Sequence, residues 1–201
     1  MTAFPPVPRV SGIAAPLIRA NIDTDAIIPS REIKGVGKTG LADGLFAGWR
    51  YVEGRTPNPD FVLNQPRFAH APILLGGSNF GCGSSREHAV WALHDYGVRA
   101  VIAPSLAPIF ASNCVRNGII PVVLEEATVA SLGEEVAIDL IAQTVTSGPV
   151  TAQFEIDPEA KAMLAEGLGA IDLTLKHKPA IDAFLAADRA ARPWVYLETM
   201  R

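Results

Sequence analysis

The stretch from Ile73 to Tyr96 constrains the fold more than any other. Ile73-Leu74-Leu75 is a short apolar run bounded by Pro72 and by Gly76-Gly77, a buried strand running into a glycine-rich loop. From Arg86 the period changes: Ala89, Ala92, Leu93 and Tyr96 follow helical spacing, and Gly97 supplies a stop. Residues 98–103 then read as a second strand closed by Pro104. Residues 106–117 read as a second helix, with Ala107, Phe110, Ala111 and Cys114 on one face, and 119–124 as a third strand. Strand, helix, strand, helix, strand in so short a space implies parallel pairing with right-handed crossovers.

The flanks differ. Residues 136–145 and 150–156 read as strands joined through the turn Thr146-Ser147-Gly148-Pro149. Residues 158–168 and 178–191 read as helices, the second carrying an apolar stripe of Ile181, Phe184 and Leu185. Between 31 and 64 lies a weakly periodic segment with the glycine-rich run Lys34-Gly35-Val36-Gly37-Lys38-Thr39-Gly40, the kind of long connection that is functional or mobile.

Composition narrows the function classes. At 201 residues, 49% hydrophobic and 19% charged, the chain is globular and can bury a real core. A net charge of −4 without any Lys/Arg block gives no nucleic-acid footprint. The first residues lack the pattern of a secretory signal and the longest apolar runs fall short of a membrane span, so a soluble cytoplasmic protein is expected. The two cysteines, Cys82 and Cys114, have no metal-site spacing and cannot hold an iron–sulfur cluster by thiolates alone.

The chemistry concentrates in the loop from Gly76 to Ser85. Its glycines let the backbone approach a ligand, and the helix behind it aims unpaired N–H groups and the positive end of its dipole at that place. Arg86 adds a planar fork suited to a carboxylate. A phosphate loop fits poorly, since no Gly-Lys-Ser/Thr occurs and Arg86 stands where a dinucleotide loop has its third glycine. A purely structural turn, with one serine capping the helix, stays open on spacing alone.

The run Gly81-Cys82-Gly83-Ser84-Ser85-Arg86-Glu87-His88-Ala89 resembles the signature of the swivelling domain of the aconitase superfamily. The likeness is strongest to the small subunits of its isopropylmalate-isomerising branch. It continues through Asn21-Ile22-Asp23-Thr24-Asp25-Ala26-Ile27-Ile28-Pro29, Gly44-Leu45-Phe46-Ala47-Gly48-Trp49-Arg50 and Trp91-Ala92-Leu93-His94-Asp95-Tyr96-Gly97. Val101-Ile102-Ala103-Pro104-Ser105 and Asn113-Cys114-Val115-Arg116-Asn117-Gly118-Ile119-Ile120-Pro121 extend it, more loosely after Glu125.

The resemblance implies an α/β fold: a swivelling β/β/α domain of three layers around a parallel central sheet. It implies one domain over 1–201, with 31–64 as a mobile substrate loop and 158–201 as a helical appendage. It implies a hydro-lyase small subunit, inactive alone, that interconverts 2- and 3-isopropylmalate through 2-isopropylmaleate. Ser84 would be the catalytic base, acting as an alkoxide on a carbon next to a carboxylate. Ser85 and Arg86 would bind the substrate, Ile33 and Lys34 would meet its variable side chain, and Asp25 and Asn79 would support the turn. The partner would be a large subunit whose three cysteines hold a [4Fe–4S] cluster acting as Lewis acid; no metal and no cofactor is expected on this chain. Glu32 departs from the branch's pattern, so a citramalate- or homoaconitate-type acid is the sibling alternative. A non-catalytic small-acid binding module is the alternative of another class.

Other residues carry blander readings. Asp23 and Asp25 sit two apart in a stretch read as extended, on one strand face. Asn79 either orients the Ser84 loop or occupies a left-handed position. Cys82 reads as a small filler, His88 as a core or supporting histidine, and Trp49, Trp91 and Trp194 as core or interface aromatics.

Overall fold

In the computed structural model, which describes residues 4–35 and 37–196, the chain is organised around one seven-stranded sheet in the order β4-β3-β2-β1-β5-β6-β7. The strands are β1 (Arg9–Leu17), β2 (Ile73–Gly76), β3 (Ala100–Ala103), β4 (Ile120–Val123), β5 (Glu135–Asp139), β6 (Thr144–Ser147) and β7 (Val150–Gln153). The helices are α1 (Thr24–Ile27), α2 (Ala47–Arg50), α3 (Glu87–Tyr96), α4 (Pro108–Arg116), α5 (Glu126–Ser131), α6 (Pro158–Glu166), α7 (Ala170–Leu175) and α8 (Lys178–Ala191).

The half from β1 to β4 is parallel, with Ala15 opposite Leu74, Leu74 opposite Val101 and Val101 opposite Pro121. β1 is the pivot, because its other edge pairs antiparallel with β5, placing Val10 opposite Ile138. The expected parallel centre is therefore joined to an antiparallel meander. Strand alternation sends Leu74 into one core and Ile73 and Leu75 into another, on opposite faces of the sheet. The first core receives Ala89, Val90, Ala92, Leu93 and Tyr96 from α3 together with Phe80 and Phe110. Each such fully buried large side chain contributes about 1.5–3 kcal/mol, so packing, more than loop hydrogen bonds, fixes α3 against β2.

Two local expectations are corrected. Residues 136–145 are two strands, because Asp139 Oδ1 accepts the Ala142 N–H and Gln143 adopts a left-handed φ of 57°, turning the chain between β5 and β6. Asp23 and Asp25 do not share a strand face. Asp23 caps α1, its Oδ1 accepting the Ala26 N–H at 2.6 Å, and the chain turns helical there. The segment 31–64 has anchors in the body of the fold among the described residues. Leu41, Leu45, Phe46, Phe61 and Leu63 are buried in the first core, and Asp95 at the end of α3 accepts the Leu41 and Ala42 N–H groups.

The terminal helices follow the sequence closely. Pro158 at the first turn and the Asp157 side chain, accepting the Glu159 and Ala160 N–H groups, start α6. α8 spans Lys178–Ala191 and buries none of its residues, so Phe184 and Leu185 stay exposed. Residues 197–201 of the expected appendage lie outside the described residues, as do 1–3 and Val36. Among the described residues no helix is long and apolar enough to cross a membrane.

Candidate active site

Two chain segments build the site by pairing edge to edge. Residues 21–24 run beside 78–84: Asn21 N–H donates to Ser78 O, Gly81 N–H to Ile22 O and Thr24 N–H to Cys82 O, at 2.7–2.9 Å. A third segment locks the far side, with Phe80 N–H on Ser105 O and Ala107 N–H on Phe80 O. Gly81 is forced by this arrangement. Its φ is 77°, and a Cβ there would lie 2.1 Å from Cγ of Phe110.

Beyond Gly81 the turn emerges at the surface. Ser84 and Ser85 are exposed, and Arg86, with φ −92° and ψ 104°, is the N-cap residue from which α3 starts. Buried Thr24 anchors the turn from below. Its Oγ1 donates to Ser84 O at 2.9 Å and stands 3.4 Å from Ser84 Oγ. The Arg86 guanidinium pairs through Nη1 with Asp25 Oδ1. Ser84, Ser85, Arg86, Cys82 and Thr24 share a hollow of about 230 Å³ whose other wall is residues 107–110 and Asn113. Such a hollow offers hydroxyls, backbone N–H groups at a helix start and a guanidinium to an anionic ligand.

The remaining candidates fall elsewhere. Asp25 lines an adjoining hollow with Ala26, Pro29, Ser30, Arg31 and Trp49, and reaches the first one only through Arg86. Asn79 has the left-handed φ of 58°, and its Nδ2 donates to Asn21 Oδ1 at 2.8 Å, tying the two paired segments together. Ile33 packs against the first core and Lys34 is exposed; neither lines either hollow. Glu32 is turned inward. Its side chain is 10% exposed, pairs with Arg55 at 2.8 Å, and lies over Gly44, where a Cβ would come within 2.7 Å. Its departure from the branch's pattern is a packing and ion-pair feature.

Thr24 and Asn113 were not singled out by the sequence, although both stand inside runs that carry the resemblance. Nothing local marks them, because their significance comes from contacts 60 residues away for Thr24 and from a shared hollow for Asn113. Cys114 is buried on α4, and burial pushes its thiol well above the ordinary value. His88 packs against Trp91 with the rings tilted and their centroids 4.7 Å apart, a packing role. Among the described residues no group of three or more His, Cys, Asp or Glu is placed to hold a metal ion.

This fold and this turn define a class: an α/β domain with an open, serine-bearing anion turn at the start of a helix. Residues 5–127 match the family model of the aconitase C-terminal domain. The 3-isopropylmalate dehydratase small subunit of Cupriavidus necator is 56% identical, over 93% of this chain and 96% of that one. The small subunit of the same name from Magnetococcus marinus is 49% identical, over 94% and 97%. The solved 3-isopropylmalate dehydratase structure from Methanocaldococcus jannaschii superposes with a TM-score of 0.68 at 29% identity, covering 87% of this chain and 98% of that one. The chain belongs to the aconitase C-terminal domain family, among the 3-isopropylmalate dehydratase small subunits.

Proposed function

We propose that this chain is the small subunit of a 3-isopropylmalate dehydratase, interconverting 2- and 3-isopropylmalate by dehydration to 2-isopropylmaleate and rehydration. The observation that carries this reading is the exposed Ser84-Ser85-Arg86 turn, built as an anion site, in a chain of that family. Relatives of this name about half identical along nearly the whole length favour isopropylmalate over citramalate or homocitrate.

Ser84 Oγ acts as the base, removing the proton from the carbon beside a carboxylate. A serine alkoxide needs donors. Thr24 spends its hydroxyl proton on Ser84 O in the resting arrangement. Its Oγ1 also stands 3.4 Å from Ser84 Oγ, a contact in which either hydroxyl can donate, so Thr24 positions the serine. The anion must draw on the N–H groups of the turn and of the α3 start, and on Arg86, a fixed donor set that needs no reorganisation during the reaction. Asp25 occupies one edge of Arg86 and orients it; the rest of the fork receives a substrate carboxylate, and Ser85 adds a hydrogen bond. Ile33 and Lys34 meet the variable end of the substrate. Lys34 has no partner among the described residues and is free to do so.

The leaving hydroxyl needs an electrophile, and this chain's residues do not fit a [4Fe–4S] cluster. Cys114 is buried with its thiol disfavoured from ionising, which leaves Cys82 alone. The cluster belongs to a large subunit, where an open iron would serve as Lewis acid. In this reading the enzyme is cytoplasmic, residues 1–201 form one domain, 31–64 carry the mobile substrate loop and 158–201 are an appendage.

Anaerobic co-expression with a large subunit tests the proposal, with isopropylmalate, citramalate and homocitrate compared by formation of the unsaturated acid. Turnover of isopropylmalate by the pair and by neither subunit alone is the expected result. Turnover by this chain alone, or a clear preference for citramalate, would overturn it.

A further inference from the structure

We infer that Asn113 is a substrate-contacting residue of the same site, its side-chain amide holding a carboxylate oxygen of the bound hydroxy acid from the α4 wall; this rests on the function proposed above. Phe110, Asn113 and Cys114 follow the inward face of α4, where an apolar residue is the ordinary choice. Asn113 is 8% exposed and lines the hollow that Ser84, Ser85 and Arg86 line.

The other buried polar residues are accounted for. Thr24 donates to Ser84 O, Asn117 bonds Lys38, Glu87 and the Asn113 carbonyl, and Ser147 donates to Glu135 O. Asn113 alone among them makes no side-chain hydrogen bond among the described residues. Its amide is not sealed in the core, since among the described residues the buried side-chain nitrogen or oxygen without a partner is Trp91 Nε1; the Asn113 amide stays accessible, and the hollow is the space it lines.

The position is rigid. α4 is held to the turn by the Ala107–Phe80 hydrogen bond and by Phe110 filling the space under Gly81. An uncharged amide suits the task. Nδ2 can donate to a carboxylate oxygen without competing with Asp25 for Arg86, and Oδ1 remains to accept from a hydroxyl.

The test uses the complex with the large subunit, comparing wild type with Asn113→Leu and Asn113→Asp. The leucine variant removes the amide at similar size, and KM for isopropylmalate should rise about tenfold, the loss of one hydrogen bond to a charged group. The aspartate variant keeps the shape but sets a carboxylate against the substrate's, so its KM should rise further. Neither should lower the melting temperature of the complex, since no protein hydrogen bond is lost. Wild-type KM in the leucine variant, or equal KM rises in both variants accompanied by lowered melting temperatures, would make Asn113 structural and overturn the inference. Wild type runs alongside: wild-type turnover with unaffected variants sinks this inference alone, whereas no turnover of isopropylmalate by wild type sinks the proposed function and this inference with it.

Discussion

Replacing Thr24 by valine probes the arrangement beneath Ser84 with the least disturbance. Valine keeps the shape and the backbone N–H bond to Cys82 O, and it removes only the hydroxyl that holds Ser84 O at 2.9 Å. One neutral hydrogen bond contributes about 0.5–1.5 kcal/mol net. Ser84 is exposed, so water can replace the lost donor and the loss stays near the middle of that range. For a chain of this size about 1 kcal/mol lowers the melting temperature by about 2–4 °C. The kinetic effect should be larger, because the serine is no longer held in register with its donors. A displacement of about 1 Å costs up to about 100-fold in rate, so kcat should fall about 10- to 100-fold. KM should move by less than about threefold, since Arg86 and Asp25 are untouched. The assay is steady-state formation of 2-isopropylmaleate by the complex, with thermal melting of the same sample. Thr24→Ser, which keeps the hydroxyl, should restore most of kcat. Wild-type kcat in Thr24→Val with a normal melting temperature would refute the positioning argument.

Gly81→Ala should be strongly destabilising. The left-handed φ of 77° and the contact with Phe110 together cost about 2–4 kcal/mol, lowering the melting temperature by about 5–15 °C. A shift too small to measure in thermal unfolding would mean that α4 moves aside freely. Burial and the neighbouring Arg99 hold half-buried His94 below its ordinary value of 6.5, so below pH 6.5 the unfolded chain takes up a proton that the folded chain resists. The stability from neutral His94 is complete above that value and is lost as pH falls through the window beneath it. His94→Gln should flatten that part of the urea-midpoint against pH curve, and an unchanged curve would remove His94 as its cause.

What was legible in the sequence follows from the range of the interactions involved. β2, α3, β3 and α4 each announce themselves by a local period closed by Gly or Pro, β4 is an apolar run opened by Gly118, and the pattern bounds all five within a few residues. β1 was missed. Ser11-Gly12-Ile13-Ala14-Ala15-Pro16 carries a glycine and a proline where a central strand is expected to be β-branched, and its partners lie about 60 and 125 residues away. The turn inside 136–145 was hidden for a different reason. Leu140 and Ile141 continue the apolar run, and only the Asp139 side chain breaks it. At the site, the glycines and Arg86 are visible locally as an anion turn. Their connection to Thr24, Asp25 and Asn113 exists only once the strands bring residues 21–25, 81–86 and 107–113 together. Glu32 shows the converse: a conspicuous charge in a substrate-loop position, explained by an arginine 23 residues away.

The central claim, that Ser84 is the base, is tested most directly by Ser84→Ala in the complex with the large subunit. The account predicts a fall in kcat of about 100- to 10,000-fold, with assembly and the cluster's spectrum unchanged and Arg86 still binding substrate. Turnover within a few-fold of wild type in an intact complex would contradict it.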